Sequence, residues 1–133
     1  MVLEKDAESD SRMTMESLKK NADFKKCYEN GRSFVNRHLV LYMCGNGLDR
    51  NRIGISVSKK VGNSVVRHRV RRLIKEACRL HEAEFQKGLD LVIVARVRAK
   101  ETGFFTIERS LLHLADKSGI RISESRSDEK SND

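Results

Sequence analysis

Two adjacent segments of the chain show different hydrophobic periods, and together they predict the core architecture. Residues Arg52–Ser58 alternate, with Ile53, Ile55 and Val57 on one side and polar or small residues on the other. This period of two is typical of a strand that is buried on one face. Residues Asn63–Phe85 instead repeat apolar positions with the period of an amphipathic helix. The pattern therefore predicts a half-buried strand followed directly by a helix that packs on it.

The remaining periodic segments complete an alternation of helices and strands. A first helix is predicted over Glu16–Asn30, where a glycine follows as a terminator. Apolar runs predict strands at Leu39–Cys44 and Leu89–Ala95, with an additional short strand at Ser33–Arg37. A closing helix covers Phe105–Lys117. The order α-β-β-α-β-α indicates an α+β protein whose final β-α-β unit forms a parallel strand pair.

One domain accounts for the periodic part of the 133-residue chain. Residues 1–14 and 123–133 are polar, so we expect both segments to be disordered and residues 15–122 to form the domain. No apolar run approaches the roughly 18 residues of a membrane-spanning helix. The acidic start of the chain also lacks the apolar stretch of a secretory signal. We therefore predict a cytoplasmic protein without a membrane partner.

The cysteines support the same compartment. Cys27, Cys44 and Cys78 form an odd, widely spaced set without a C-x-x-C pair. This pattern predicts reduced thiols, and it argues against both a disulfide framework and a cysteine-based zinc site.

The positive charge of the chain is concentrated in its middle. The formal net charge is +8, yet residues 50–100 alone carry 14 basic and 4 acidic residues, whereas residues 1–17 have a net charge of −3. A surface that only aids solubility would spread its charge evenly. A concentrated positive field favours a nucleic-acid partner, because binding to a phosphate chain releases condensed counterions.

The predicted helix over Asn63–Phe85 separates apolar from cationic residues. At about 100° per residue, one stripe carries Val66, Val70, Leu73, Ile74, Ala77 and Leu80. The opposite side and its flanks carry Arg67, His68, Arg69, Arg71, Arg72, Lys75 and Arg79. Only Glu76 and Glu82 are acidic between residues 59 and 82, so phosphate contact explains this face better than a solvated structural helix does. DNA is not the expected partner, since a strand precedes this helix where a helix-turn-helix unit requires a helix.

The same segment carries a resemblance to a known family. Residues Ser56–Glu76 read SVSKKVGNSVVRHRVRRLIKE and closely resemble the motif of the bacterial ribonuclease P protein component. The Ala-Arg pair that ends the Leu89–Ala95 strand and the upstream segment Leu18–Phe24 match the same family, and the resemblance covers about residues 15–120. It implies a small α+β sandwich with a central sheet and a left-handed β-α-β crossover, bound to a catalytic RNA.

The resemblance also implies a function and a set of site residues. In this family the holoenzyme removes the 5′ leader of precursor tRNA by hydrolysis, with Mg²⁺ held mainly by the RNA and no organic cofactor. The positions that contact the catalytic RNA correspond to Lys59, Lys60, Asn63, Arg67, His68, Arg69, Arg71, Arg72, Lys75 and Arg79. The cleft for the leader corresponds to Phe24, Tyr28, Ser56 and Ser58, with Phe34 and Tyr42 as secondary candidates. The family motif most often reads Arg-Asn-Arg, so His68 alters the hydrogen bonds available at the middle position.

The residues themselves indicate no catalytic centre. The four histidines lack zinc-ligand spacing, and residues 50–100 contain too few carboxylates for a two-metal phosphodiesterase. The chemistry is therefore expected to come from elsewhere, which agrees with the RNA catalyst that the resemblance implies, with the protein as an enzyme subunit. Two alternatives stay open at this point: a non-catalytic RNA-binding module such as a ribosomal protein, and a nuclease that acts without RNA. Cleavage of precursor tRNA by the protein alone would identify the nuclease.

Overall fold

Within residues 15–122, the part of the chain that the computed structural model describes, five strands form one mixed sheet and three α-helices cover it. In chain order the elements are β1 (Glu16–Ser17), α1 (Asn21–Asn30), β2 (Arg32–Val35), β3 (Leu39–Gly45), β4 (Arg52–Ser56), α2 (Ser64–His81), β5 (Leu89–Ala95) and α3 (Phe104–Ser118). Short 3₁₀ helices at Glu82–Glu84 and Val97–Glu101 follow α2 and β5. The segments 1–14 and 123–133, predicted to be disordered, lie outside the described residues.

The strands lie side by side in the order β1-β4-β5-β3-β2. β4 and β5 are parallel neighbours joined by α2, which confirms the predicted parallel pair, and β1 pairs in parallel with the other edge of β4. β3 pairs antiparallel with both β5 and β2. This arrangement confirms the predicted α+β class. No helix in the described part of the chain is long and apolar enough to cross a membrane.

The first predicted helix, Glu16–Asn30, is wrong at its start. The helix begins at Asn21, and Glu16–Ser17 forms the edge strand β1 instead. The Leu18 amide donates to a β4 carbonyl at 2.7 Å, and both Met15 and Leu18 are buried. The apolar spacing of this segment suits a helix, but pairing with a strand distant in sequence decides its conformation.

Other boundaries also differ by a few residues, and β4 ends at Ser56 rather than Ser58. α2 ends at His81 rather than Phe85, because Phe85 leaves the helix and fills the core with only 1% of its surface exposed. β2 occupies Arg32–Val35 rather than Ser33–Arg37, since Asn36 forms the turn that follows. Its side-chain oxygen accepts hydrogen bonds from two following backbone amides at 3.1 and 3.0 Å. Such a turn ends the strand earlier than apolar content alone suggests.

Apolar residues are buried on both faces of the sheet. α2 and α3 cover one face, where Ile53 of the alternating strand belongs to the same core as Ile74 and Leu111. α1 covers the other face over a smaller cluster that contains Cys27 and Val92. The predicted apolar face of β4 is therefore the face beneath α2 and α3, and its polar face lies on the side of α1.

A histidine between two carboxylates joins the end of α2 to α3. His81 Nδ1 lies 2.7 Å from Glu84 Oε2, and its Nε2 lies 2.7 Å from Glu108 Oε2. Arg121 Nε donates to the other oxygen of Glu84 at 2.8 Å. Burial alone lowers the pKa of His81, but the hydrogen bonds to Glu108 and Glu84 outweigh burial and raise the pKa above its ordinary value. The protonated imidazole, which donates from both nitrogens, therefore suits this site.

We expect the stabilising effect of His81 to decline as the pH rises. A histidine whose pKa is higher in the folded state contributes stability that is fully present below the unfolded value of about 6.5 and is lost as the pH rises through the folded value. Urea unfolding of the wild type and of His81→Gln, measured between about pH 5.5 and pH 9, gives the contribution of His81 to the unfolding free energy at each pH. The difference in unfolding free energy between the two proteins should shrink towards high pH. A difference that stays constant across this range would contradict the assignment.

Candidate nucleic-acid interface

α2 presents one face to the core and the opposite face to solvent. Val70, Ile74, Ala77 and Cys78 are buried, whereas Leu80, predicted to lie in the same stripe, is 48% exposed. The buried stripe is therefore rotated towards Cys78. The residues that the structure leaves exposed on the other side include His68, Arg69, Arg71, Arg72 and Lys75. The cationic face of the helix thus points away from the core.

The loop between β4 and α2 holds Lys59 and Lys60 near the N-terminus of the helix. Val61 anchors this loop, since only 1% of its surface is exposed. The Asn63 side-chain oxygen accepts a hydrogen bond from the Val66 amide at 3.0 Å, so Asn63 is the N-cap. Its NH₂ group stays available to a partner. Both lysines are exposed beside the positive end of the helix dipole, which strengthens the local positive potential.

Three arginines of α2 are positioned by backbone carbonyls of neighbouring segments. Arg67 Nε donates to a carbonyl of the preceding loop at 3.1 Å, and Arg71 Nη1 donates to a β4 carbonyl at 2.8 Å. Arg69 donates to a carbonyl just before α3. A guanidinium has five N–H donors, so each of these side chains keeps donors for a further acceptor. The contacts fix the direction of the side chains without neutralising their charge.

Most cations of this surface lack a carboxylate partner within residues 15–122. None of Lys59, Lys60, Arg67, Arg69, Arg71, Arg72 and Lys75 forms an ion pair with a described residue. Arg79 differs from them, because its guanidinium donates to both oxygens of Glu76 at 3.0 and 2.5 Å. Among the described residues, the eight lysines and arginines of the predicted set are therefore divided into seven without a carboxylate partner and one, Arg79, already engaged by a carboxylate.

A strip of the sheet beside α1 is only partly covered, and this strip together with the flank of α1 is called the cleft below. In register across β4, β5, β3 and β2, this strip consists of Ser56, Val94, Val40 and Val35. All four side chains are half-buried or exposed, whereas Val92 in the adjacent row is fully buried under α1. The structure thus places Ser56 in the cleft floor. Ser58 is exposed two residues further on, beyond the end of β4.

Aromatic rings line the side of this cleft that α1 forms. Phe24 lies directly over Gly54 of β4, and its ring centroid is 6.4 Å from that of Tyr28. Tyr28 is 40% exposed and contacts Tyr42 of β3 edge to face, with centroids 4.9 Å apart. Phe24, Tyr28 and Tyr42 therefore form one continuous row. Phe34 packs instead against the core beneath α2 and α3, so the structure places this secondary candidate outside the cleft.

Gly54 leaves the space that the Phe24 ring occupies. A Cβ atom at this position would lie 2.5 Å from Cζ and 2.7 Å from Cε2 of that ring, both far closer than van der Waals contact. Only a residue without a side chain allows the tip of the ring to approach β4 this closely.

We expect Gly54→Ala to displace the Phe24 ring and to lower the unfolding free energy by about 1 kcal/mol, the lower end of the cost of overpacking. The matched control is Gly45→Ala in β3, where no atom lies within 4 Å of the added Cβ. Urea unfolding of both variants measures the difference. Equal stability of the two variants, with an unchanged NMR spectrum of the Phe24 ring, would contradict this packing.

A basic pocket of about 410 Å³ lies at the carboxyl ends of β4 and β5. Its lining includes Arg37, Ser58, Lys60, Arg96 and Arg98. Burial, Arg37 and Arg98 lower the pKa of His38, which reports the positive potential of this region. The three arginines were not predicted from the sequence, because residues of turns and strand ends carry no periodic pattern. Arg96 and Arg98 have one signal in the sequence, since they directly follow the buried strand β5, whereas Arg37 has none.

The buried carboxylate Asp90 is used in structural contacts. Within residues 15–122, no group of three or more His, Cys, Asp or Glu side chains is arranged to hold a metal ion. The buried Asp90 accepts two hydrogen bonds from Arg52, at 2.8 and 2.7 Å, and one from Asn46 at 3.0 Å. Burial alone raises the pKa of Asp90, but these hydrogen bonds outweigh burial and lower it. Asp90 is therefore an ionised structural group.

Comparison with known proteins shows the same fold in solved structures. The RNase P protein of Staphylococcus aureus superposes with a TM-score of 0.75 at 38% sequence identity, covering 81% of this chain and 99% of that chain. The RNase P protein of Thermotoga maritima superposes with a TM-score of 0.69 at 31% identity, covering 74% of this chain and 94% of that chain.

Sequence comparison points to the same group. A family model described as Ribonuclease P matches residues 13–119. The ribonuclease P protein component of Lachnoclostridium phytofermentans is 55% identical over 100 residues, which is 75% of this chain and 86% of the relative. That of Clostridioides difficile is 48% identical over 106 residues, or 79% of this chain and 93% of the relative. The chain therefore belongs to the family of ribonuclease P protein components, the protein subunits of an enzyme of tRNA processing.

Proposed function

We propose that this subunit binds the catalytic RNA of ribonuclease P through the exposed face of α2 and the loop that precedes it. The observation that carries this proposal is the set of seven cations without a carboxylate partner among the described residues. Like charges at this density repel one another, so such a face is unfavourable in isolation and favourable against a phosphate backbone. Hydrogen bonds to backbone carbonyls hold Arg67 and Arg71 in place before the RNA arrives, which reduces the entropy lost on binding.

The cleft beside α1 is the site that we propose for the single-stranded 5′ leader of precursor tRNA. Its floor is the strip from Ser56 to Val35, and its side is the row of Phe24, Tyr28 and Tyr42. Single-stranded RNA is typically bound by stacking on aromatic rings next to a cationic groove. The basic pocket at the carboxyl ends of β4 and β5 supplies that groove, with Lys60 shared between it and the loop before α2.

The side chains that are present indicate which tasks belong to the protein and which to the RNA. The described residues contain no cluster suited to a metal ion, so we propose that the RNA component holds the Mg²⁺ required for hydrolysis. The protein then contributes positioning of the substrate and neutralisation of phosphate charge. The three cysteines are unbridged, which supports a reducing compartment, and we propose the cytoplasm as the site of action.

Binding measurements test this function against that of a general RNA-binding module. The full-length protein is titrated with the catalytic RNA and with a ribosomal RNA fragment of equal length, at several salt concentrations. We expect tighter binding to the catalytic RNA, with a slope of log K against log salt on the order of −4, as for about five phosphate contacts. Equal affinity for both RNAs would contradict the proposal and favour a ribosomal type of protein.

A further inference from the structure

Two cysteines that are distant in sequence lie in contact between α1 and the sheet. Cys27 lies on α1 and Cys44 lies on β3, 17 residues apart, yet their Sγ atoms are 3.4 Å apart. Cys44 Sγ donates to Cys27 Sγ, and Cys27 Sγ donates to the Asp90 carbonyl at 3.5 Å. The third cysteine, Cys78, is buried in the separate core beneath α2 and α3. Two of the three thiols are therefore in contact, although the wide spacing of the cysteines in the sequence argued against a disulfide framework.

The two thiols differ in their access to solvent. Cys44 is half-buried, whereas Cys27 is fully buried. Burial and the hydrogen bond with Cys44 raise the pKa of Cys27 to about 12. A small oxidant from solvent therefore reaches Cys44 first, while Cys27 stays protonated beside it. A partly accessible thiol in contact with a second thiol is the arrangement in which a sulfenic acid, once formed, can be converted to a disulfide.

We propose that Cys27 and Cys44 form a reversible disulfide when the protein encounters a peroxide. Cys44 sulfur attacks one peroxide oxygen, the O–O bond breaks, and Cys44 becomes a sulfenic acid while the other oxygen leaves as water. Cys27 sulfur then displaces the hydroxyl group from Cys44, and the Cys27 proton leaves with it as a second water. Two thiols and one hydrogen peroxide thus give one disulfide and two waters, with two electrons passing to the peroxide. A thiol reductant reverses the reaction by exchange.

The bond would act on the cleft through its neighbours in the chain. The two Sγ atoms must approach from 3.4 Å to about 2.05 Å, which draws α1 and β3 together. Tyr28 follows Cys27 directly, and Tyr42 lies two residues before Cys44 on the same face of β3. The edge-to-face contact of these two rings is therefore repositioned by the disulfide. Weaker leader binding by the oxidised protein follows, and this consequence rests on the proposed leader site.

Peptide mapping of the full-length protein tests the thiol pair directly. The protein is treated with hydrogen peroxide, the remaining thiols are alkylated, and the digest is analysed by mass spectrometry without reduction. We expect a peptide that links Cys27 to Cys44 and disappears after reduction, in the wild type and in Cys78→Ala. Cys44→Ser should give no such link. Absence of this link from peroxide-treated wild type would overturn the proposal.

Measurements of leader binding test whether the disulfide weakens the cleft's affinity for RNA. We expect the affinity of the oxidised protein for a single-stranded leader RNA to be about tenfold lower than that of the reduced protein, as for one misplaced stacking ring. Cys44→Ser should show no change on peroxide treatment. If the linked protein binds leader RNA as well as the reduced protein does, the coupling to the cleft is wrong. If the reduced protein shows no affinity for leader RNA, the proposed leader site is wrong, and the peptide map alone decides whether the thiol pair forms.

Discussion

Replacing Arg72 and Lys75 together by alanine weakens binding to the catalytic RNA about 10- to 100-fold at roughly 0.1 M salt and reduces the salt slope by about two. Both side chains are exposed on α2 and have no ion-pair partner among the described residues. Each lost phosphate contact removes the release of about one counterion, so the effect on affinity is largest at low salt. The fold is retained, because alanine favours helix and neither side chain is buried. Filter binding over a salt series measures both quantities.

The matched control for this double variant removes the same charge from other elements. Lys87 lies in the turn before β5 and Arg109 lies on α3, and both are exposed. Lys87→Ala combined with Arg109→Ala should leave the salt slope within about half a unit of the wild type. If the two double variants weaken RNA binding equally, the net charge of the protein and not the face of α2 determines affinity, and the proposed interface is wrong.

Replacing Tyr28 by alanine lowers the affinity for precursor tRNA by about tenfold and leaves the affinity for mature tRNA unchanged. Loss of one stacking platform costs about 1–3 kcal/mol, and only a substrate with a leader uses that platform. The ring is 40% exposed and packs on Tyr42, so it is open to a base on one side and supported on the other. Competition binding to the protein–RNA complex, with and without a leader on the tRNA, separates the two affinities.

Phe105→Ala is the control for this substitution. Phe105 is 75% exposed at the start of α3, so its truncation removes an aromatic ring from a different surface. It should affect precursor and mature tRNA equally. An equal loss of affinity for both substrates in Tyr28→Ala would argue against a leader site in this cleft.

The elements that local pattern specifies were predictable from the sequence. α2 has a sustained helical period and an N-cap at Asn63, so its existence, its start and its exposed face follow from residues close in the chain. The bounds of β5, Leu89–Ala95, agree with prediction because its run of buried β-branched residues fits no other element of that length. The side of β4 that faces the core was also evident from alternation alone.

The features that depend on distant pairing were not predictable in this way. β1 exists because Glu16–Ser17 reaches β4, and the local apolar spacing of that segment gives no indication of it. The cleft floor brings together residues from four strands. The basic pocket collects Arg37 from a turn, Arg96 from the end of β5 and Arg98 from the following 3₁₀ helix. The contact of the Cys27 and Cys44 thiols arises in the same way. Each requires the strand order β1-β4-β5-β3-β2, which a one-dimensional pattern does not contain.

The most direct test of this account is cleavage of precursor tRNA at low Mg²⁺ concentration by the RNA alone, the protein alone and the two together. Phosphate neutralisation by the protein lowers the Mg²⁺ that the RNA needs to bring its own and the substrate's phosphates together. The account predicts no cleavage by the protein alone, little by the RNA alone, and release of the leader when both are present. Cleavage by the protein without RNA, or no gain over RNA alone when the protein is added, would contradict it.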